Sequence, residues 1–262
     1  MLSHRICRIT FAAAFCWALL VSAPCAFTTK TTEMVPMRDG VRLSTDAYLP
    51  SNGGRWPAIL IRTPYNKGGA AAAALALMTT LRGYALVGQD MRGRFASEGE
   101  EFLVFQHDGW GEHQDGYDTV EWITKQPWSN GEVATAGPSA MGIVQNLMAP
   151  TDPPGLVCQH VPVAFSSMYH ETAFQGGAWR KALVEGWLKS NDFDPRSIPT
   201  FHSHPDYGDF WRQFHPVLHA EEVNVPVMYV GGWYDIFSQG TIDMFKAVNE
   251  RGGPKARGNC RL

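Results

Sequence analysis

Gly137-Pro138-Ser139-Ala140-Met141-Gly142 is the stretch on which the reading of this chain turns. An extended, β-prone run over 132–136 precedes it, and a segment able to coil into a helix follows. A strand that turns sharply into a helix around a serine has the layout of a nucleophile elbow. Such a turn holds the hydroxyl clear of its own backbone, and the amides at the helix N-terminus face an oxyanion as it develops. Small neighbours are what so tight a turn needs. The usual pattern is GxSxG, whereas here the second glycine comes one place later, at 142, and glycine and serine also meet in ordinary loops. The six residues alone leave both readings open, and the surroundings must decide.

Outward from the elbow, short apolar runs at 58–61, 84–87, 156–163 and 226–230 have the character of strands buried inside a parallel sheet. An alanine-rich helical stretch over 70–81 joins the first two as one βαβ unit. Tyr117, Val120, Trp122 and Ile123 recur in helical register within 115–125, with Asp115 near the N-terminus of that helix. Partial alternation over 41–48, after the turn-like Met37-Arg38-Asp39-Gly40, predicts an antiparallel opening hairpin. The alternating order implies an α/β fold, a mostly parallel sheet with helices on both faces. Residues 166–220 differ: they are dense in Trp, Phe, His and Pro, with weak helical periodicity over 179–189. They are expected to form a helical cap inserted over the sheet's C-terminal edge, where α/β proteins place their sites. The expected domain pattern is 27–165 for the first part of the α/β domain, 166–220 for the cap and 221–262 for the second part.

Composition narrows the function. With 262 residues and 45% hydrophobic content the chain can build one large core. Lys and Arg number 22 against 25 for Asp and Glu, and no basic stripe appears, so nucleic acid is not the expected partner. A small molecule is. His4, Arg5 and Arg8 precede an apolar run over 9–21 and then Ser22-Ala23-Pro24-Cys25-Ala26, the pattern of a secretory signal peptide over 1–26. The run is shorter than the ~20 residues of a membrane span, so export to the periplasm or medium is expected, without a stable membrane anchor. Of the six histidines between 160 and 219 only His202-Ser203-His204 is closely spaced, and no compact zinc-type ligand set occurs, so no metal or other cofactor is expected.

Three further positions could carry chemistry. Asp235 follows the strand at 226–230 after Gly231 and Gly232; it reads either as an acid orienting a catalytic histidine or as the cap of a helix starting near Ser238. Tyr65, after Arg62-Thr63-Pro64, could donate to an oxyanion together with the backbone N–H of Ala140, or be a structural tyrosine. Asp90 and Arg92, in Gln89-Asp90-Met91-Arg92-Gly93-Arg94, read as a loop-fixing ion pair. The histidines end at His219, ahead of Asp235, so the base expected after the acid is missing from its place.

Taken together and in order, these segments resemble the serine hydrolase family that includes cocaine esterase, X-Pro dipeptidyl-peptidases, α-amino-acid ester hydrolases and glutaryl cephalosporin acylases. The resemblance runs from about Met37 to Gly258. It rests on Met37-Arg38-Asp39-Gly40-Val41, Arg62-Thr63-Pro64-Tyr65, Asp90-Met91-Arg92-Gly93 with Ser97-Glu98-Gly99, and Asp115-Gly116-Tyr117-Asp118-Thr119-Val120-Glu121-Trp122. Gln126-Pro127-Trp128-Ser129-Asn130-Gly131, the serine elbow and Gly232-Trp233-Tyr234-Asp235 complete it. The resemblance implies an α/β-hydrolase fold with a helical cap, Ser139 as nucleophile, Asp235 as triad acid, and Tyr65 with the Ala140 amide as oxyanion hole. The family's own elbow carries its glycine at the position of Gly142; where members often have tyrosine after the serine, this chain has Ala140, whose amide still serves. Members continue to a catalytic histidine and a C-terminal β-sandwich, and this sequence stops at Arg261-Leu262 before either. The expectation is therefore an ester- or amide-cleaving hydrolase, truncated at its C-terminus and weak or inactive in this form. The alternatives are a non-catalytic secreted binding protein or an unstable gene fragment.

Overall fold

The computed structural model describes residues 28–69 and 71–262. The signal peptide expected over 1–26 lies outside them. Strands β1 (Thr29–Pro36) and β2 (Arg42–Leu49) form the opening antiparallel hairpin, closed by Met37-Arg38-Asp39-Gly40 with Gly40 at φ 84°. They continue into β3 (Trp56–Thr63), helix α1 (Ala72–Thr80), β4 (Ala85–Asp90), α2 (Asp115–Thr124), β5 (Ser129–Ala136), α3 (Ala140–Met148) and β6 (Leu156–Pro162). A set of short elements follows: a π-helical turn at Met168–Ala173, the hairpin β7 (Phe174–Gln175) and β8 (Ala178–Trp179), then α4 (Lys181–Ser190), α5 (Ser197–His202) and α6 (Asp209–Arg212). Strand β9 (Val227–Val230) and helix α7 (Ser238–Arg251) close the order. The main sheet runs β1-β2-β4-β3-β5-β6-β9; β2 lies antiparallel to β4, and every pair from β4 onward is parallel.

Alternation within the strands sets the layers. Ala58, Leu60, Val87 and Val133 point to one face and pack with Val120 and Ile123 of α2 and Met148 of α3. Ile59, Ile61 and Leu86 point to the other face, beneath α1. There α1 packs on β4 and β2, and Met228 and Val230 of β9 remain 53% and 38% exposed, so the second face is less fully clad than an alternating order predicts. The aromatic-rich segment shares the core of the sheet: Phe201, Trp211 and Phe214 are fully buried and join Phe165, Val161 and Met244 in one continuous cluster.

A buried charge network fixes the loops at the strands' C-terminal ends. Arg92 grips Asp115 (2.6 and 3.0 Å) and Asp39 (2.7 and 3.2 Å), tying the hairpin turn to the start of α2. This corrects the Asp90–Arg92 pair expected from sequence: Asp90 instead accepts from Lys67 Nζ at 3.0 Å and from the Lys67 amide at 2.7 Å. The two side chains are close in sequence but serve different loops. Arg62 is paired with Asp108 and donates to Gln89 Oε1 at 2.8 Å. Burial of this kind holds only because every charge is met; removing one partner costs about 3–5 kcal/mol. Arg94 acts across the largest gap, donating to the carbonyls of Pro64 (3.2 Å), Asn191 (2.5 Å) and Asp192 (2.7 Å), so it ties the loop after β3 to the end of α4.

Candidate active site

Ser139 sits between β5 and α3 with φ 59° and ψ −128°, a conformation that non-glycine residues adopt only where the surroundings impose it. Its amide donates to the Pro162 carbonyl (3.2 Å), and its own carbonyl accepts from Gly142 and Ile143 (both 2.8 Å). The late glycine has a direct cause. A Cβ at position 142 would lie 2.9 Å from the Pro162 carbonyl oxygen and 3.1 Å from Ala164 Cβ, so β6 comes too close to α3 for any side chain there. Met141, at the place of the usual glycine, faces outward along a groove shared with Gly137, Pro138 and Tyr65. Ala140 opens α3, and its N–H has no hydrogen-bond partner among the described residues. It is one of the orphan amides of the helix N-terminus, beside the serine.

Tyr65 follows the end of β3, its amide donating to Thr63 Oγ1 at 3.0 Å. Its hydroxyl accepts a hydrogen bond from Trp187 Nε1 at 2.9 Å. Trp187 belongs to α4, where it stacks on Phe105 (centroids 5.9 Å, 17° between planes), and it lines a cavity together with Ser139 and Ala140. The cavity holds about 80 Å3, and its walls include Phe165, Phe201 and, from the Asp235 loop, Ile236 and Phe237. Asp235 itself lies in the turn after β9; Oδ1 accepts from the Phe237 amide at 2.7 Å, just before α7. Oδ2 has no partner among the described residues. One oxygen thus closes the turn that precedes α7, whose own first-turn amides receive no side-chain cap, and the other is left open.

The elbow and the Asp235 loop thus line one apolar cavity, and Tyr65, on the loop after β3, is joined to its wall through Trp187. Trp187 and the aromatic wall were not singled out from sequence; the only signal was the aromatic density of 166–220. The histidines lie elsewhere. His170 pairs with Ser167 (2.9 Å), His204 with the Thr200 carbonyl (2.8 Å) and His215 with Tyr207 (2.5 Å), while His219 packs on Trp110 with centroids 3.9 Å apart. Burial, with His170 nearby, pushes His215 down to about 4. Among the described residues no histidine is hydrogen-bonded to Ser139 or Asp235, and no group of three potential metal ligands occurs.

Cocaine esterase from Rhodococcus sp. (strain MB1 Bresler) is 28% identical over 86% of this chain and 47% of its own length, so the chain spans about half the length of that relative. The structure is similar to that of a CocE/NonD family hydrolase from Staphylococcus aureus, with TM-score 0.72 at 23% identity over 86% of this chain and 44% of that one. It is also similar to an α-amino acid ester hydrolase, with TM-score 0.69 at 24% identity over 85% of this chain and 45% of the other. Those likenesses show an α/β-hydrolase fold. The model of the X-Pro dipeptidyl-peptidase (S15) family matches residues 39–199 and 185–260, and the chain belongs to that family.

Proposed function

We infer that this chain carries the acyl-transfer site of an exported serine hydrolase, with Ser139 as nucleophile. The observation that carries this reading is the backbone of Ser139, held at φ 59° on a strand-to-helix turn with the free Ala140 amide next to it. In the proposed reaction Ser139 Oγ attacks an ester carbonyl and its proton passes to a base. The carbonyl oxygen gathers charge between the Ala140 N–H and the Tyr65 hydroxyl, and the C–O bond to the leaving alcohol breaks to give an acyl-serine that water then cleaves. Asp235, with Oδ2 open, is the group suited to orient a histidine and to stabilise its charged form.

No described histidine reaches either residue, so we expect these 262 residues to react slowly by themselves. An oxyanion hole and binding alone leave about 10³ to 10⁴ over water. An amine leaving group needs a proton as it departs, whereas a phenolate or a stabilised alkoxide does not, which favours activated esters over amides. The cavity adds a size limit. An apolar cavity of roughly 150 Å3 takes up benzene, and the space beside Ser139 is about 80 Å3, which suits an aliphatic acyl group of a few carbons.

The experiment is to mix the protein with p-nitrophenyl butyrate, quench in acid and measure intact and peptide masses. A single butyryl group on the Ser139 peptide, absent from Ser139→Ala, supports the reading. Ligand uptake that is identical in Ser139→Ala, with no acylation of either protein, would favour a binding protein instead. Export rests on the N-terminal pattern and is tested by N-terminal sequencing of the protein recovered outside the cytoplasm; cleavage after Cys25 would leave Ala26 first.

A further inference from the structure

We propose that Trp187 is a positioning residue for the oxyanion hole, acting through Tyr65; this rests on the hydrolase reading above. The chemistry of the contact is unambiguous. An indole N–H can only donate, so in the 2.9 Å contact with Trp187 Nε1 the phenol oxygen of Tyr65 is the acceptor. The phenol's own proton is then turned away from the indole, and no described group accepts it. A hydroxyl anchored on its lone pair, with its proton uncommitted, is a preset donor. It need not give up an existing hydrogen bond when the oxyanion forms, which is the condition for effective electrostatic stabilisation.

The surroundings hold the pair rigid. Trp187 lies between Phe105 and Phe193, with centroids at 5.9 and 4.5 Å. Asn191 Nδ2 donates to the Trp187 carbonyl at 2.8 Å. Arg94 binds the Pro64 carbonyl on one side and the Asn191 and Asp192 carbonyls on the other, and its guanidinium stacks 4.4 Å from the Phe193 ring centre. The loop bearing Tyr65 and the helix bearing Trp187 are therefore clamped twice, once by the indole and once by Arg94. Because Trp187 also lines the cavity with Ser139 and Ala140, the substrate's acyl group would press on the same side chain that sets the phenol.

The test compares Trp187→Phe, Tyr65→Phe and the double variant, each checked for a native melting transition. The rate of Ser139 acylation by p-nitrophenyl butyrate is followed by mass as a function of ester concentration. Trp187→Phe removes the N–H and trims the fused ring to a single one that can still pack on Phe105 and Phe193; the limiting rate should fall about tenfold, the worth of one hydrogen bond, and by a larger factor than the half-saturating concentration changes. Tyr65→Phe should fall further, and the double variant should match Tyr65→Phe because the indole has nothing left to orient. An unchanged rate in Trp187→Phe, or a loss that multiplies with that of Tyr65→Phe, overturns the proposal. An independent readout uses ¹⁵N-labelled tryptophan: the Trp187 indole resonance, assigned by its loss in Trp187→Phe, should shift in Tyr65→Phe. A resonance that stays put overturns the contact itself. A parent chain whose Ser139 is never acylated overturns the hydrolase reading, while the indole resonance still decides the contact.

Discussion

Replacing Gly142 by alanine should damage the protein, although an alanine inside a helix ordinarily helps it. Position 142 is in the first turn of α3, and Gly→Ala in a helix interior contributes about 1 kcal/mol of stability. Against this, the added methyl would lie 2.9 Å from the Pro162 carbonyl oxygen, 3.1 Å from Ala164 Cβ and 3.2 Å from the Gly137 carbonyl oxygen. Two of those three atoms are backbone and the third is a Cβ, so no flexible side chain can swing away. Overpacking of this kind costs about 1–3 kcal/mol. The net expectation is a loss of up to about 2 kcal/mol in urea unfolding. More telling is its route: relief requires β6 and α3 to part, and that displaces Ser139, whose amide is bonded to Pro162. A shift of about 1 Å at a reacting atom can cost about 10²-fold in rate, so acylation should fall more steeply than stability. Gly111→Ala is the control, since a Cβ there meets nothing within 4 Å. A Gly142→Ala protein at least as stable as the parent, with Ser139 acylated at the parent rate, would refute the reasoning.

Further expectations concern charge and size. Arg92→Ala takes from the buried Asp115 its hydrogen-bonded cation, leaving only Arg62 at 3.8 Å, and should cost about 3–5 kcal/mol, whereas Arg42→Ala breaks only an exposed pair with Glu98 and should leave the urea midpoint nearly where it was; urea midpoints compare them. Rates of acylation with p-nitrophenyl esters should rise about fourfold per methylene from acetyl to butyryl, then drop for benzoyl, which exceeds the cavity; a benzoyl ester reacting faster than butyryl would contradict the assigned size. Glu171, pushed up to about 6 by burial despite hydrogen bonds from Ser166, is stabilising while protonated, and that stability is lost as pH rises from about 4.5 to 6, at most about 2 kcal/mol. His215, held down to about 4 by burial, acts in the opposite sense and loses stability as pH falls from 6.5 towards 4. In Glu171→Gln only the second slope remains, so the melting temperature should fall more steeply on acidification than in the parent.

How far the sequence discloses this structure depends on how far apart the interacting groups lie. Local patterns were legible: the run at 132–136 is the end of β5, the helical register within 115–125 is α2, and the turn at 37–40 closes the hairpin of β1 and β2. The elbow could be read because strand, serine, small residues and helix adjoin. The Arg92 partners could not, because Asp39 and Asp115 stand 53 and 23 positions away and only the fold brings them together, whereas Asp90 was adjacent and misleading. Trp187 and Tyr65 are 122 positions apart, and nothing in either local context shows that an indole N–H and a phenol would meet. The reason for glycine at 142 is likewise tertiary, residing in the approach of the Pro162 carbonyl.

The central claim is that Ser139 is a nucleophile, and the most direct measurement is the time course of its acylation by p-nitrophenyl butyrate, read from the mass of the Ser139 peptide. With no described histidine placed to activate water, an acyl group once transferred should persist rather than turn over. The account predicts slow, saturable uptake of one butyryl group per chain at Ser139, abolished by Ser139→Ala. Acylation distributed over other residues, or proceeding equally in Ser139→Ala, would contradict it.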